Sequence, residues 1–122
     1  MTTTAGSRQA LGAYGEALAE RHLVAQGMTV LARNWRCPAG EIDLVLRDGD
    51  VLVVCEVKTR SSLGRGTPHE AVTDAKLDRL LRLGEAWRVE QGLGRVELRI
   101  DLVAVLRPRQ GASTIDHVRG LV

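Results

Sequence analysis

The chain has 122 residues, of which 44% are hydrophobic and 26% are charged, and its formal net charge is +2. This length supports one domain with one core, and the composition is that of a globular protein. The aromatic residues are scarce, with two Trp, one Tyr and no Phe, which argues against a module that binds single strands by stacking bases on exposed rings. The net charge does not indicate a nucleic-acid partner, although a local basic patch would.

The cysteines and the N-terminus indicate the compartment and the domain boundaries. Cys37 and Cys55 form no CxxC pair, and a zinc site needs more ligands than these two residues supply, so we expect free thiols in a reducing cytoplasm. No apolar stretch is long enough to span a membrane. Residues 1–7 lack the basic and apolar regions of a signal peptide. We expect them to form a disordered tail ahead of a single domain over residues 8–122.

The first predicted element is a helix from about Arg8 to Gln26. Apolar and small residues recur in it at steps of three or four, as they do on one face of a helix. Gly27 is a helix stop signal. Gly12 and Gly15 weaken a helix, so we expect both to permit close packing of the backbone.

A strand is predicted from Met28 to Trp35, and a loop over residues 36–40 connects it to a β-hairpin. The hairpin strands contain two apolar runs, residues 42–46 and 51–58. The Asp48-Gly49 pair between them favours the positive φ angles of a tight turn. The two runs are therefore predicted to be antiparallel neighbours.

Three charged residues interrupt the apolar pattern of this hairpin. With Asp48-Gly49 at the centre of the turn, Asp43 lies opposite Val54 and Glu56 lies diagonal to Asp43. Lys58 follows Glu56 on the same face, because side chains alternate along a strand. The other face, which includes Ile42, is entirely apolar and is predicted to be core. Charged groups in apolar strands cost free energy unless they are paired or bind a metal, so these three residues form the candidate site.

The same register places Glu41 opposite Glu56, and a like-charge pair of this kind destabilises a hairpin. Either a metal or another cation relieves the repulsion, or Gly40 ends the pairing first, or a bulge moves Glu41 away. The sequence leaves these three alternatives open.

The second half of the chain is predicted to form a helix and a strand. After a glycine-containing loop over residues 61–66, residues 67–70 carry a Thr cap, a Pro at the first helical position and a Glu three residues after the cap, which are helix-start signals. The pattern ends near Gly92, and Thr73-Asp74 is a second candidate start, so the region forms one helix or two. Residues 96–106 are predicted to form a strand, and the remaining tail a loop. The order αβββαβ predicts an α/β fold with a mixed sheet, since a strand–helix–strand crossover gives a parallel pair.

Other charged residues have simpler interpretations. Asp101 interrupts the last predicted strand, and we expect it to pair with Arg99 or Arg33. Three histidines are isolated in the sequence and have no partner at ligand spacing, so we do not expect them to bind metal: His22, His69 and His117.

Four motifs follow one another along the chain: residues 12–19 (GAYGEALA), 33–36 (RNWR), 40–44 (GEIDL) and 56–60 (EVKTR). In combination they resemble the YraN-like family of uncharacterised bacterial proteins, over roughly residues 8 to 106. That family is similar to the PD-(D/E)xK nuclease superfamily and, within it, to archaeal Holliday junction resolvases. The resemblance implies a restriction-endonuclease-like αβββαβ core, with a mixed sheet flanked by helices.

The resemblance also implies roles for individual residues. Asp43 and Glu56 correspond to the acidic metal ligands, Lys58 to the motif lysine, and Glu16 to a further acidic residue of the resolvase-like branch. Hard carboxylate oxygens suit Mg²⁺ or Mn²⁺, and we expect the Val57 carbonyl to complete the protein ligands. The activity implied is metal-dependent endonucleolytic hydrolysis of phosphodiester bonds in DNA. We expect the partner to be branched or duplex DNA, with branched or junction DNA as the candidates for structure-specific cleavage.

The partners follow from this activity. One domain carries one site, so cutting two strands in concert would require a homodimer. We expect four cationic residues to contact DNA: Arg36, Arg60, Arg65 and Lys76. One alternative is a non-catalytic DNA-binding or adaptor protein that retains the fold. Another is a structural protein in which Asp43, Glu56 and Lys58 form only a salt-bridge network.

Overall fold

The first half of the chain forms one helix and three antiparallel strands. In the computed structural model, which describes residues 5–62 and 72–122, α1 spans Ala5–Ala25, and β1, β2 and β3 span Thr29–Cys37, Gly40–Asp48 and Val51–Arg60. The helix begins three residues before the predicted start, so it includes the end of the segment expected to be a tail. Strand β1 continues to Cys37, where the sequence predicts a loop.

The second half adds one helix and two strands. Helix α2 spans Asp74–Glu90, β4 spans Glu97–Leu106 and β5 spans Thr114–Val118. Thr73 caps α2, since its side chain accepts a hydrogen bond from the main-chain N–H of Lys76 at 3.2 Å. The second of the two candidate helix starts is therefore confirmed, while the first, at residues 67–70, lies outside the described residues.

Strand β5 corrects the prediction of a loop after β4. It pairs antiparallel to β4 and ends the sheet on that side. The segment is short and carries polar residues at three of its five positions, Thr114, Asp116 and His117. A strand of this kind is stabilised by its neighbour rather than by its own pattern, so propensity did not indicate it.

The five strands form one mixed sheet in the order β1-β2-β3-β4-β5. Strands β3 and β4, which flank α2 in the chain, pair parallel, and the other neighbours pair antiparallel. The predicted mixed α/β sheet is thus confirmed. Neither helix in the described part of the chain is long and apolar enough to cross a membrane.

One helix covers each face of the sheet, and each interface is a separate apolar cluster. The α1 cluster comprises Ala19, Leu23, Met28, Leu44, Leu46, Val53, Cys55, Val103 and Val105. The α2 cluster comprises Ile42, Val45, Leu52, Val54, Leu80, Leu83, Trp87 and Ile100. Both cysteines are free thiols, as expected, and Cys55 is fully buried.

Two glycines allow the helices to approach the sheet closely. A Cβ atom at Gly15 would lie 1.7 Å from Oγ1 of Thr59, and one at Gly84 would lie 2.8 Å from Cγ2 of Val54. The prediction of close packing is confirmed for Gly15. It is not met at Gly12, where an added Cβ atom would have no neighbour within 4 Å among the described residues.

The register of the hairpin differs from the prediction by two residues. Asp48 pairs with Val51, so Gly49, with φ of 61°, is the first residue of the two-residue turn, which is the position a type II′ turn gives to glycine. The predicted Asp43–Val54 pair is wrong, because Val54 pairs with Val45. A shift of two residues keeps most side chains on their predicted face.

The face prediction fails at Ile42. Ile42 belongs to the α2 cluster and Leu44 to the α1 cluster, although simple alternation would place them together. Strands β1 and β2 pair through Arg33–Leu44 and then Trp35–Ile42. Between these pairs Asn34 has φ of 48°, a left-handed conformation that asparagine tolerates better than most residues. The alternation of β2 side chains between the two faces of the sheet is therefore interrupted between Ile42 and Leu44.

Candidate functional site

Asp43 lies where strands β2 and β3 separate. The last residues paired between these strands are Leu44 and Cys55, so Asp43 and Glu56 are the next residue along each strand. Beyond this pair the Asp43 carboxylate takes the place of a main-chain acceptor: its Oδ2 accepts a hydrogen bond from the Val57 N–H at 2.8 Å. The two acidic residues are therefore closer in register than the sequence predicts.

The environment of Asp43 disfavours its charged form. Burial is the largest cause, and the negative charge of Glu56 adds to it, so the pKa of Asp43 rises from 3.8 to about 7 although the Val57 N–H opposes the shift. Asp43 forms no ion pair within 4.0 Å with any residue that the structure describes. Asp43 is thus a half-buried carboxyl group, and the charges that raise its pKa are those of Glu56, Glu16 and Glu41.

Glu16 reaches the same region from α1. Burial raises its pKa, a hydrogen bond from the Asn34 side chain opposes the shift, and the negative charges of Glu41 and Glu56 raise it further. Its neighbour Gly15 packs directly against Thr59 of β3, and this contact sets the distance between the helix and the site. The structure thus brings Glu16 to the acidic pair.

Glu56 pairs with a residue that the sequence assigned to DNA contact. The Nζ atom of Lys76 lies 3.0 Å from Oε1 of Glu56, and the two side chains are 23% and 17% exposed. Lys76 occupies the first turn of α2, where the Thr73 cap begins the helix. Only the packing of α2 on the sheet brings it to Glu56, and no local pattern indicated this contact.

Glu41 does not lie opposite Glu56, and that prediction is wrong. Glu41 is paired with Arg36 of β1 in the sheet register, and the Nε atom of Arg36 lies 3.5 Å from Oε2 of Glu41. The predicted repulsion is therefore avoided in two ways: the β2–β3 pairing ends at Leu44, and a cation lies beside Glu41. Arg36 itself is 78% exposed.

The remaining predicted site residues lie at the end of β3. Lys58 is half-buried and follows Glu56 by two positions, and it forms no ion pair within 4.0 Å inside residues 5–62 and 72–122. Arg60 is the last residue of β3. Arg65 lies outside the described residues, as does His69.

Asp43 and Glu56 form an acidic pair, and the described residues around them do not complete a preformed metal site. In the described ranges, no three His, Cys, Asp or Glu side chains are grouped as metal ligands. An ion at this position would therefore take protein ligands mainly from Asp43, Glu56 and the main chain.

Asp101 forms a second polar centre, which the sequence only partly indicates. Its fully buried carboxylate accepts hydrogen bonds from Arg99 at 2.8 and 3.0 Å and from the Gly120 N–H at 3.0 Å, and it lies 2.9 Å from Nε2 of His117. Burial opposes ionisation, but the hydrogen bonds from Arg99, Gly120 and His117 outweigh it and hold the pKa of Asp101 below its usual value. The predicted pairing with Arg99 is confirmed.

The structure also decides between the two expected partners of Asp101 and corrects the description of two histidines as isolated. Arg33 pairs with Glu20 of α1 through both carboxylate oxygens and not with Asp101. His22 and His117 are not isolated, because their rings meet edge to face with centroids 5.6 Å apart. Burial, followed by the nearby His117 and Arg119, lowers the pKa of His22.

The comparisons with known proteins agree on one family. A model of the Uncharacterised protein family UPF0102 matches residues 15–105, a span that contains Glu16, Asp43, Glu56 and Lys58. The chain is 67% identical to a UPF0102 protein of Nocardioides sp. strain JS614, with 99% of each chain covered. It is 56% identical to one of Beutenbergia cavernae, over 94% of this chain and 98% of the relative.

A third relative, the UPF0102 protein SCO5602 of Streptomyces coelicolor, is 55% identical over 94% of this chain and 90% of its own length. These matches extend over nearly the whole sequence, and they confirm the family that the four motifs indicate. The chain belongs to the UPF0102 (YraN-like) family.

Proposed function

We propose that this protein is a metal-dependent DNA endonuclease with a restriction-endonuclease-like core. One observation carries the proposal: Asp43 is a half-buried carboxyl group, adjacent in register to Glu56, with no cationic partner among the described residues and a pKa of about 7. Strongly shifted carboxyl groups of this kind concentrate at functional sites.

The donor set fits Mg²⁺ or Mn²⁺. Mg²⁺ is held by one or two protein carboxylates and keeps several water molecules, so Asp43 and Glu56, with the Val57 carbonyl, would suffice. Burial and, after it, repulsion from Glu56 raise the pKa of Asp43, and a divalent cation beside these carboxylates would oppose both effects by favouring the charged form. When bound, such an ion polarises a phosphate and acidifies a water molecule.

The side chains around the acidic pair have separate tasks in this proposal. Lys58 neutralises the negative charge that develops on the phosphate in the transition state. Glu16, held by the hydrogen bond from Asn34, accepts a hydrogen bond from the attacking water and orients it. Asp43 is held by the Val57 N–H, which fixes the direction of its carboxylate.

A second candidate function is favoured by the ion pair between Lys76 and Glu56. Lys76 supplies a positive charge to one carboxylate without any metal, as a protein that has kept the fold and lost catalysis would. Such a protein would bind DNA or act as an adaptor. Cleavage and binding measurements separate the two candidates.

The deciding experiment is cleavage of labelled duplex, flap and four-way-junction DNA with Mg²⁺ or Mn²⁺. The protein is compared with Lys58→Ala and with Arg82→Ala, whose exposed guanidinium pairs with Asp78 on α2. We expect metal-dependent cutting that falls on the order of 100-fold or more in Lys58→Ala and persists in Arg82→Ala. If none of the DNAs is cut while DNA binding persists, the nuclease proposal fails and the adaptor function is supported.

A further inference from the structure

A groove of about 590 Å³ lies between the first turns of α1 and the end of β3. Three of the residues that line it are cationic: Arg8 of α1, and Lys58 and Arg60 of β3. Apart from Leu11, the other lining residues carry hydroxyl groups, and no carboxylate lies among the described residues that line it. We call it the α1–β3 groove.

The groove is more positively charged than the protein as a whole. The whole chain has a formal net charge of only +2, so the cationic residues that line this one groove form a local concentration of positive charge. Lysine, arginine and hydroxyl side chains together are the usual contacts to phosphate oxygens of nucleic acids. Such contacts position a nucleic acid without reading its sequence.

A fourth cation is held at the same end of the molecule. The main-chain N–H of Arg107 donates to the carbonyl of Arg60 at 2.8 Å, and the Arg107 guanidinium lies 4.4 Å from the centre of the Tyr14 ring. Tyr14 in turn bonds Ser113 through its hydroxyl at 2.6 Å. This cation–π contact holds the exposed Arg107 guanidinium against Tyr14. Tyr14 lies about one helical turn after Leu11 on α1.

The groove continues from the candidate site. Lys58 belongs both to the groove lining and to the run that begins at Glu56, two residues earlier on β3. If the scissile phosphate of a DNA strand lay at Asp43 and Glu56, the neighbouring phosphates of that DNA strand would lie along Arg8 and Arg60.

We propose that the α1–β3 groove, extended by Arg107, binds the phosphodiester backbone of DNA and guides one strand away from the acidic pair. The proposal rests on the proposed DNA partner, but it does not require cleavage. A groove lined by cationic and hydroxyl side chains, which begins at Lys58 two residues after Glu56, fits the phosphates of a DNA strand better than a flat anionic membrane surface. It adds Arg8 and Arg107 to the expected DNA contacts.

The experiment measures DNA binding by fluorescence anisotropy in the presence of EDTA, so that no cutting occurs. Arg8→Ala and Arg107→Ala are compared with the parent and with Arg82→Ala and Arg95→Ala, which remove the same charge from exposed positions outside the groove. We expect each groove variant to weaken binding on the order of threefold to tenfold and to reduce the slope of log K against log salt by about 0.7–0.9, the value of one phosphate contact. The two control variants should keep the parent slope.

A charge-preserving variant and a second ligand complete the design. Arg8→Lys should retain most of the parent affinity, because attraction to phosphate depends on the charge, and circular dichroism checks that each variant is folded. Parent-like binding by both groove variants would overturn the groove proposal, even if the protein cuts DNA. If the groove variants lose DNA binding in EDTA and the parent protein cuts no DNA in the separate cleavage experiment with metal, the groove proposal is supported and the nuclease proposal fails. Vesicles with phosphatidylserine are the alternative ligand, and tighter, groove-dependent binding to vesicles than to DNA would also overturn the proposal.

Discussion

Two aspartates of the same sheet, Asp101 fully buried and Asp43 half-buried, are in opposite electrostatic environments. Asp101 accepts hydrogen bonds from Arg99 and the Gly120 N–H and contacts His117, and its pKa is held below the usual value. Among the described residues, Asp43 accepts a hydrogen bond only from the Val57 N–H, and its pKa rises to about 7. Asp101 contacts donors that stabilise its charge, whereas the charges that shift the pKa of Asp43 are the carboxylates of Glu56, Glu16 and Glu41.

Position in the sheet does not explain the difference. Cys55 pairs with Leu44, the neighbour of Asp43, on one side and with Asp101 on the other, so both aspartates lie beside the same buried residue. Burial raises the pKa of the Cys55 thiol, and the charges of Asp101 and Asp43 raise it further. From the directions of these shifts we expect Asp101 to stabilise the fold at neutral pH and Asp43 to destabilise it, and a destabilising carboxyl group of this kind is typical of a functional site.

The largest expected effect is on the pH dependence of stability. The folded pKa of Asp43 lies above its unfolded value, so its contribution is most favourable below pH 4 and is lost as the pH rises through about 7. The shift corresponds to a loss on the order of 4 kcal/mol. Asp43→Asn removes this loss, so in EDTA the variant should be more stable than the parent at pH 8 and similar to it at pH 4, by urea denaturation.

The contrary result would be a variant that is less stable than the parent at pH 8 without metal. That outcome would place Asp43 in a stabilising salt-bridge network, like Asp101, and would erase the contrast between the two residues.

Asp101→Asn should have the opposite sign. It leaves the half-buried Arg99 without its main partner, and breaking a buried pair in this way costs about 3–5 kcal/mol. Because the folded pKa of Asp101 is lowered, its contribution is present at neutral pH and is lost as the pH falls below the usual range of aspartate. Urea denaturation at pH 7 measures the loss. Asp116→Asn, at an exposed position of β5, is the matched control, and an equal loss in both variants would contradict the assignment.

Divalent cations should stabilise only one of the two centres. A ligand that binds the native state at ten times its Kd adds about 1.4 kcal/mol, so Mg²⁺ or Mn²⁺ at millimolar concentration should raise the Tm of the parent protein. The rise should vanish in Asp43→Asn and persist in Asp101→Asn. An identical rise in all three proteins would show that the ion binds elsewhere.

The smallest expected effect concerns Lys76. Its ammonium group contacts Glu56 and competes with a bound cation for that carboxylate, so Lys76→Met should lower the Mn²⁺ concentration at half-saturation a few-fold. Without metal, the loss of this partly exposed ion pair should cost no more than about 1 kcal/mol. Thermal melts across an Mn²⁺ series measure both quantities, with Lys76→Arg as the control that keeps the charge. Weaker Mn²⁺ binding by Lys76→Met would indicate that Lys76 instead holds Glu56 in position.

Local patterns predicted the elements that bury clear apolar runs. The hairpin, α2 with its Thr73 start and β4 were all readable in this way. The register was not, because the Asp48-Gly49-Asp50 segment supports more than one tight turn, and apolar residues on both strands fit either alignment. Strand β5 depends on its edge pairing with β4, which has no local signal.

The candidate site was predictable only where its residues belong to a local pattern. Asp43, Glu56 and Lys58 interrupt apolar strands and are visible one by one. The pairing of Lys76 with Glu56 and the contacts of His117 and Gly120 with Asp101 join distant parts of the chain. Contacts of this kind arise from the docking of elements, and no spacing in the sequence encodes them.

The change of face between Ile42 and Leu44 has a consequence for how the protein acquires its chemistry. On either side of Asp43, Ile42 packs against α2 and Leu44 packs against α1. The acidic pair is therefore approached by Glu16 from α1 and by Lys76 from α2. A chain on which only one helix has docked would lack one of these neighbours. Completion of folding and completion of the proposed site are therefore the same event, and a chain with one helix still undocked would lack part of the charge arrangement around Asp43 and Glu56.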